Sequence, residues 1–355
     1  MDLEQRVELV CRRPTEEVLT VEELRTLLQA KNTPVAYNGF EPSGLMHLGT
    51  GLATALKVKD FTSAGIKFKI LLATWHAWLN NKMGGDMEKI RMAAHYFIEG
   101  WTSLGVDPSN VEFVMSDDLI NQPGYWTTLL RISEKVTLAN VTRALPIMGR
   151  KQGEAHKFGA YLYPLMQVTD IFQLKADITQ LGMDQRKANI IAKEVGPSLG
   201  FWSPVAVHHH LLSGLTGPSK MDFDTDPVLD RQISSKMAKS RPDSAIFIHD
   251  SEEDLRAKIK KAYCPERVVD DNPIIDYAQN LILRTDTELM AVNRPSSKGG
   301  PLEVTLAELK NLYSKGEIHP LDLKEAVADC LVRLLEPARK AFKGKEERLQ
   351  QFAPK

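Results

Sequence analysis

Residues 34–56 read PVAYNGFEPSGLMHLGTGLATAL and carry the pattern from which the fold class can be inferred. Residues 34–37 have the apolar character of a short strand, whereas residues 38–44 hold two glycines and a proline, which disfavour regular structure. After His47, apolar residues recur at the spacing of a helix: Leu48, Leu52, Ala55 and Leu56. The stretch therefore predicts a strand, a glycine-rich turn and a helix, in that order.

The same alternation continues along the chain and predicts an α/β fold with a parallel sheet of the Rossmann type. The apolar runs and the helical periodicities that follow them indicate further elements. Strands are predicted at 68–73, 111–115, 176–179, 205–208 and 245–248, and helices at about 86–104 and 185–195.

Three regions complete the predicted organisation. Residues 1–32 are predicted to be a helical N-terminal segment, with a capping box at Thr20-Val21-Glu22-Glu23. Residues 33–250 are predicted to be the Rossmann domain, interrupted by a helical insertion at about 120–172. Residues 251–355 are predicted to be a helical C-terminal domain, interrupted at 294–301.

The composition is that of an ordinary soluble globular protein, with 355 residues, 43% hydrophobic and 26% charged. The formal net charge is −1, so a nucleic-acid partner would have to bind local basic patches. Three scattered cysteines without CxxC spacing argue against a disulfide framework or a zinc site.

Neighbouring residues of a strand point to opposite faces, so the triplet at 208–210, HHH, is predicted to be structural. No apolar run is long enough to cross a bilayer, and we expect a cytoplasmic protein.

Two segments suit the binding of phosphate. The turn before His47 offers backbone N–H groups and the positive end of a helix, although it is neither GxGxxG nor a P-loop. Residues 234–240, SSKMAKS, place Lys236 and Lys239 three residues apart among small residues. Either segment alone has a plain structural alternative, a simple turn or a solvated basic loop. Together, a fixed cradle and a cationic loop meet the requirements of phosphoryl chemistry.

These motifs resemble those of class I aminoacyl-tRNA synthetases. His47-Leu48-Gly49-Thr50 is similar to their HIGH motif, and Lys236-Met237-Ala238-Lys239-Ser240 is similar to their KMSKS loop. From about residue 33 to 342 the chain resembles the tyrosyl-tRNA synthetases of archaeal and eukaryotic type. The stretches that carry the resemblance are YNGFEPSGLMHLGTGL from Tyr37, LATWHAWLNNK from Leu72, YPLMQVTDIFQL from Tyr163, LGMDQRKANIIAKE from Leu181 and LRAKIKKAYCP from Leu255.

The residues also favour an amino-acid pocket. Tyr163, Gln167 and Asp170 lie at helical spacing, and a polar stripe among apolar neighbours indicates a pocket wall more than a core helix. The resemblance implies that Tyr163, Gln167 and Gln185 hold the α-amino group of tyrosine. It also implies that Tyr37 and Asp170 meet the phenolic hydroxyl. His76 is predicted to line the same pocket, although a core histidine is nearly as compatible with its position.

The resemblance implies that ATP is the second substrate, with Mg²⁺ bridging its phosphates. The catalytic residues would be His47, Lys236 and Lys239, which stabilise the charge that develops as pyrophosphate leaves. Gly182 and Asp184 would bind the ribose, although an aspartate before a helix is also a common N-cap. The implied ATP-binding residues are Gly39, His47, Gly49, Thr50, Gly182, Asp184, Lys236, Met237 and Lys239.

The resemblance further implies tRNA(Tyr) as a partner and a homodimer formed through the insertion. Arg143 and Arg186 match positions that read the acceptor stem, and Asp322 matches the residue that reads the first anticodon base. From its position alone, Asp322 would be an acid at a helix N-terminus.

Three residues depart from the family pattern. Thr50 replaces the last histidine of HIGH, Thr74 stands where an aspartate is usual, and Lys298 replaces an aromatic residue. The departure at Thr74 predicts that a charge behind the pocket is missing. The departure at Lys298 puts stacking on the anticodon in doubt but offers a phosphate contact.

Three alternatives to a tyrosine enzyme remain at this stage. A tryptophanyl-tRNA synthetase shares the architecture, but Tyr37 with Asp170 suits a phenol better than an indole. A small-molecule nucleotidyltransferase shares the turn, but it needs neither Asp322 nor a helical C-terminal domain. A catalytically silent tRNA-binding paralogue is compatible with Thr50 and Thr74.

Overall fold

The computed structural model describes residues 1–149, 157–220, 223–224, 226–239 and 242–353. Within this part of the chain, six strands form one sheet in the order β1-β6-β5-β2-β3-β4 and two form a hairpin. The strands are β1 Thr15–Leu19, β2 Val35–Phe40, β3 Lys67–Leu72, β4 Val111–Met115, β5 Ile178–Gly182, β6 Val205–His209, β7 Met290–Val292 and β8 Leu302–Val304.

Helices cover the sheet and build the C-terminal region. They are α1 Leu3–Cys11, α2 Val21–Ala30, α3 Thr54–Ser63, α4 Thr74–Leu79, α5 Met87–Ser103, α6 Ser116–Ile120, α7 Tyr125–Lys135, α8 Leu138–Ala144, α9 Gly159–Gln173, α10 Arg186–Ser198, α11 Pro227–Ser235, α12 Glu252–Lys261, α13 Pro273–Tyr277, α14 Leu306–Lys315, α15 Pro320–Phe342 and α16 Glu346–Gln350. None of those described is long and apolar enough to span a membrane.

The order of the sheet creates the crevice that positions the site. β2 pairs in parallel with β3 on one side and with β5 on the other, so the chain extends the sheet from β2 first in one direction and then, after β4, in the other. In parallel α/β sheets such a switch point opens a crevice at the carboxyl ends of the strands. The predicted strand–turn–helix unit at 34–56 lies there. A π-helical turn at Gly49–Ala53 leads from the turn into α3.

The prediction of a wholly helical N-terminal segment is wrong, because β1 interrupts it and pairs antiparallel with β6. Local propensity did not indicate this strand, since Glu16 and Glu17 are ordinary helix formers. The sheet edge provides their partners instead: Glu16 contacts His210 and Glu17 contacts His208. The capping box at the start of α2 is confirmed, with Thr20 and Glu23 bonded reciprocally.

One strand prediction is wrong, and one predicted interruption is confirmed but is flanked by two short strands that the sequence did not predict. Residues 245–248, all of which the structure describes, form no strand of the sheet but run beside the turn at 46–48. The Ile246 carbonyl accepts a hydrogen bond from the Leu48 N–H, and the Ile248 N–H donates one to the Met46 carbonyl, both at 3.0 Å. These two bonds form a single bridge, because the turn at 46–48 is too short to extend the pairing into a strand. The interruption predicted at 294–301 is the loop of a hairpin formed by β7 and β8. The C-terminal region is therefore mostly, not wholly, helical.

A buried lysine ties the N-terminal helix to the sheet domain. The Lys57 side chain on α3 is 1% exposed, and its ammonium lies 3.3 Å from the Asp60 carboxylate. Lys57 also donates to the carbonyl oxygens of Leu9, Val10 and Arg12 at 3.2, 3.0 and 2.9 Å, which belong to the end of α1. A cation suits this position, because the last carbonyls of a helix lack intrahelical partners. Burial lowers the pKa of Lys57 to about 8, although Asp60 opposes the shift.

We expect the substitution Lys57→Met to lower the free energy of unfolding by about 1–3 kcal/mol, because three carbonyls lose a charged donor while Asp60 keeps its pairs with Arg284 and Arg12. Lys59→Met is the matched control, since Lys59 lies on the same helix and is exposed. The control should change stability by less than about 0.5 kcal/mol. Urea unfolding measures both, and equal losses in the two variants would contradict the role of Lys57.

Candidate active site

The residues predicted for the amino-acid pocket line a single cleft at the carboxyl ends of β2 and β5. Its lining residues are Tyr37, Gly39, Glu41, Leu71, Ala73, His76, Tyr163, Gln167, Asp170, Leu181 and Gln185. All six residues that were predicted to bind tyrosine are among them.

Helix α9 supplies three of these side chains. Tyr163, Gln167 and Asp170 face the cleft from successive turns, as their spacing predicted. Each of the three is buried, although the surrounding helix is otherwise almost entirely apolar. Polar groups buried in this way need hydrogen-bond partners, so α9 provides the cleft with a row of specific contacts.

One end of the cleft is built around the carboxyl group of Asp170, which is 1% exposed. The Tyr125 hydroxyl donates to Oδ1 at 2.8 Å, and His76 Nε2 lies 3.3 Å from Oδ2. Burial raises the pKa of Asp170 to about 8, although the bond from Tyr125 favours the ionised form. Burial also lowers the pKa of His76 to about 4, so this imidazole is neutral at pH 7. Burial and the charge of Asp170 raise the pKa of Tyr37 well above its usual value.

The other end of the cleft carries an anionic group. The Glu41 carboxylate accepts two bonds from the Asn80 amide, at 2.9 and 3.2 Å, and lies 3.3 Å from the Lys82 ammonium. Gln185 is held by a bond from its Nε2 to the Ile147 carbonyl at 3.0 Å. The cleft therefore presents a buried carboxyl group at one end and an anion with amides at the other.

His47 lies in the turn that follows β2, and its ring is fixed by the backbone. Its Nδ1 accepts a hydrogen bond from the Gly49 N–H at 3.1 Å. Burial, with smaller contributions from Lys239 and Lys236, lowers the pKa of His47 to about 3. A neutral imidazole whose Nδ1 accepts a bond must carry its proton on Nε2. His47 can therefore donate from Nε2 without carrying a positive charge.

The lysine loop closes over the same turn. Lys236 donates to Asp184 Oδ2 at 2.6 Å, and Lys239 donates to the Ser43 carbonyl and lies 5.2 Å from the centre of the Phe97 ring. Burial, together with the nearby Lys82, lowers the pKa of Lys239 to about 7, although Glu41 opposes this. Burial disfavours ionisation of Asp184, but the Lys236 ammonium outweighs it and holds the pKa below its usual range.

Glycine is required where the chain passes the predicted ribose site. A Cβ atom at Gly182 would lie 2.6 Å from Asp184 Oδ1 and 3.0 Å from Leu211. The absence of a side chain thus lets the Asp184 carboxylate fold back against the end of β5. Gly39, in contrast, lies in the wall of the amino-acid cleft.

Other predicted ATP-site residues have structural partners. The Thr50 hydroxyl accepts from the His47 N–H at 3.2 Å, so it stabilises the turn in which it lies. The Met237 side chain is buried in the hydrophobic core, which favours a packing role over contact with ATP. Ser240, the last residue of the predicted lysine motif, lies outside the described residues.

The charge predicted to be missing at Thr74 is supplied by another residue. The Thr74 hydroxyl donates to Asp117 Oδ2 at 2.6 Å, and Arg91 pairs with the same carboxylate. Asp117 lies in α6, directly after β4, where the sequence gave no signal of its contact with Thr74.

The residues predicted to bind tRNA lie outside the cleft. Arg143 is exposed on α8, which packs against α10, where Arg186 begins the helix. Arg186 pairs with Glu17 of β1 at 2.8 Å. Asp322 lies in the first turn of α15, in the C-terminal region, and is partly exposed. Lys298 is exposed in the loop of the β7–β8 hairpin.

The three consecutive histidines contact different partners. His208 lies 2.8 Å from Glu17, the His209 ring bonds the Gln180 amide at 2.8 Å, and His210 lies 2.8 Å from Glu16. Among the described residues, no group of three His, Cys, Asp or Glu side chains could hold a metal ion.

Two polar residues of the site were missed by sequence reasoning. Glu41 lies within the glycine-rich turn that follows β2. An acidic residue in that turn was a sequence signal for a group that could bind the ammonium of an amino acid. Tyr125 begins α7, 45 residues before Asp170, and no local pattern connects the two. Leu71, Ala73 and Leu181 follow from strand ends and complete the apolar wall.

Comparison with known proteins identifies the family. A family model described as tRNA synthetases class I (W and Y) matches residues 29–222 and 225–336. The tyrosine–tRNA ligases of Thermococcus sibiricus and Pyrococcus furiosus are each 45% identical to this chain over 366 residues, with 99% of this chain and 98% of the relative covered.

A solved structure agrees with these relatives. The tyrosyl-tRNA synthetase of Pyrococcus horikoshii, complexed with L-tyrosine, matches with a TM-score of 0.91 and 44% identity over 99% of both chains. The chain therefore belongs to the class I aminoacyl-tRNA synthetases, and within them to the tyrosyl-tRNA synthetases of archaeal and eukaryotic type.

Proposed function

We propose that this chain activates tyrosine with ATP to form tyrosyl-adenylate and then transfers the tyrosyl group to tRNA(Tyr). The observation that carries this proposal is the buried Asp170 carboxyl group, which lies with Tyr37 at the closed end of the cleft. The ligases named above are similar over almost the full length of the chain, which supports the same activity.

The polar groups of the cleft suit tyrosine and disfavour its analogues. The phenolic hydroxyl donates to Asp170 and contacts Tyr37, whereas the substrate's ammonium group contacts Tyr163, Gln167, Gln185 and the anionic Glu41. Phenylalanine would leave the buried Asp170 without this partner, which is costly. Tyrosine activation is the standard example of strong rejection on this basis without editing. A tryptophan indole has no hydroxyl to place against the carboxyl group.

Adenylation requires charge stabilisation more than proton transfer. An oxygen of the tyrosine carboxylate attacks the α-phosphorus of ATP, the bond to the bridging oxygen breaks, and pyrophosphate leaves with its electrons. His47 donates from Nε2 to a phosphate oxygen, and Lys236 and Lys239 neutralise the charge that accumulates. Lys236 must exchange its bond with Asp184 for one with phosphate, which frees the carboxylate to accept the ribose hydroxyls. A ribose hydroxyl of the terminal adenosine of tRNA then attacks the carbonyl carbon, and AMP leaves.

Mg²⁺ is proposed as the companion of ATP. The described residues offer no cluster of three acidic, histidine or cysteine side chains, so the phosphate oxygens and water would supply most of its ligands. When bound, the ion neutralises phosphate charge. Lys236 and Lys239 then complete the positive surroundings of the leaving pyrophosphate.

The proposed tRNA contacts lie in two separate parts of the chain. In the proposed domain 33–250, Arg143 and Arg186 contact the acceptor stem, since arginine forms paired bonds with guanine edges. In the proposed domain 251–355, Asp322 reads the first anticodon base. Glu17 holds the Arg186 guanidinium and so fixes its direction before tRNA binds. A cytoplasmic location remains a prediction from the sequence.

A homodimer is proposed on the basis of exposed apolar side chains in the insertion. Trp126, Leu130, Leu138 and Phe158 are 51%, 66%, 70% and 79% exposed. Large apolar groups clustered in one region of a surface commonly mark an interface. The first three lie on α7 and α8, which flank α9.

ATP–pyrophosphate exchange with each standard amino acid tests the function. We expect exchange with tyrosine and none above background with tryptophan or phenylalanine. Exchange with tryptophan alone would contradict the substrate assignment. No exchange with any amino acid would favour a silent tRNA-binding paralogue.

The same assay tests the pocket through Asp170→Asn. We expect kcat/KM for tyrosine to fall about 10- to 100-fold, the range for losing a hydrogen bond to a charged group, with phenylalanine less affected. Asp118→Asn is the matched control, since Asp118 is exposed on α6 and should change neither value. Unchanged discrimination between tyrosine and phenylalanine in Asp170→Asn would contradict the assignment.

Sedimentation velocity tests the dimer. Leu130→Glu places a charge on the exposed face of α7, and we expect it to shift the protein to monomers. Leu289→Glu is the control, because Leu289 is 57% exposed but lies in the C-terminal region. A monomeric parent protein, or dissociation by both variants alike, would overturn the proposed interface.

A further inference from the structure

The position of Lys236 depends on a short paired segment at the base of the lysine loop. Ser213 and Lys236 form an isolated antiparallel bridge. On either side of it, the Gly214 N–H donates to the Ser235 carbonyl and the Met237 N–H donates to the Leu212 carbonyl, both at 2.7 Å. Residues 212–214 therefore act as a template that fixes the backbone position of Lys236.

Ser213 has its own backbone groups turned away from the loop. In an antiparallel pair bonded through its neighbours, the central residue directs its N–H and C=O to the opposite side. Helix α13 of the C-terminal region occupies that side. The Ser213 N–H donates to Asp276 Oδ2 at 2.7 Å, and the Tyr277 hydroxyl donates to the Ser213 carbonyl at 2.6 Å. Two side chains of α13 thus take the place of a neighbouring strand.

The carboxylate of Asp276 is itself held by charge. His210 Nε2 lies 2.8 Å from Asp276 Oδ1, and the other ring nitrogen of His210 lies 2.8 Å from Glu16. Burial disfavours the imidazolium, but Asp276 and Glu16 outweigh it and raise the pKa of His210 to about 10. Glu16 also accepts a bond from Gln232 at 2.8 Å, on the helix that runs into Lys236. Asp276 and Glu16, linked through His210, therefore hold both the template at 212–214 and the helix that leads into the lysine loop.

We propose that Asp276 and Tyr277 are positioning residues for Lys236 in the adenylation step, an inference that rests on the proposed function. They touch neither substrate; they hold residues 212–214 so that the Lys236 ammonium reaches the phosphates in the correct place. A cation stabilises a transition state only where charge develops, and a displacement of about 1 Å can cost about 100-fold in rate. The C-terminal region thereby contributes to the chemistry of the sheet domain.

The variant Tyr277→Phe removes one hydroxyl and keeps the ring, which is completely buried. We expect kcat for tyrosine-dependent exchange to fall about 5- to 20-fold, with KM for tyrosine within about twofold of the parent, because the tyrosine cleft is untouched. Asp276→Asn retains an acceptor for the Ser213 N–H and should fall less than Asp276→Ala.

Tyr313→Phe is the matched control. Tyr313 is also completely buried in the C-terminal region, and its hydroxyl donates to the Pro265 carbonyl at 2.9 Å rather than to residues 212–214. Urea unfolding should show comparable stability losses for the two phenylalanine variants, whereas only Tyr277→Phe should lose kcat. Equal losses of kcat would show a general structural effect and overturn the inference.

A double-variant cycle with Lys236→Ala gives a sharper readout. If Tyr277 acts through Lys236, Tyr277→Phe should change kcat less than about twofold when Lys236 is already absent. Full additivity of the two losses, or unchanged kcat in Tyr277→Phe alone, would overturn the inference. If the parent protein itself fails to exchange with tyrosine, the proposed function fails, and this result is distinct from either outcome in the variants.

Discussion

The buried carboxyl group of Asp170 is the constraint on which the arrangement of the site depends. A carboxyl group removed from water is stable only as the neutral acid or with its oxygen atoms satisfied by donors. Tyr125 supplies one donor from α7, and the space beside Oδ2, near His76 and Tyr37, is the place for a second. Helices α7 and α9 and the end of β2 are therefore held together around one group that a phenolic hydroxyl would complete.

The proposed ATP site has a different requirement, because its cationic groups must lie near one another before phosphate binds. His47 avoids repulsion by remaining neutral, Lys236 pairs with Asp184, and the pKa of Lys239 is lowered to about 7 as it is buried over the turn. In the proposed mechanism, the phosphates and ribose of ATP replace these partners. The loop that carries both lysines rests on residues 212–214, which α13 holds from the C-terminal region.

The sequence predicted most of the sheet from local periodicity, and the six residues that periodicity and the family resemblance together assigned to tyrosine all line one cleft. It failed where distant segments decide the structure. The strand at Thr15–Leu19 exists because β6 offers an edge and His208 and His210 offer partners, and the strand predicted at 245–248 is absent because its neighbour is only the turn at 46–48. Tyr125, Asp117 and Tyr277 each act on residues more than 40 positions away, which no pattern along the chain can indicate.

Proton release on tyrosine binding tests most directly whether the phenol meets Asp170. Burial raises the pKa of Asp170 to about 8, so this carboxyl group is mostly protonated at pH 7.0, and two donated hydrogen bonds favour its ionised form. Calorimetry in buffers of different ionisation enthalpy should therefore show a net release of protons, up to about one per tyrosine, at pH 7.0. The release should decline as the pH rises above 8 and should be absent in Asp170→Asn. Equal proton counts in the parent and the variant would contradict this account.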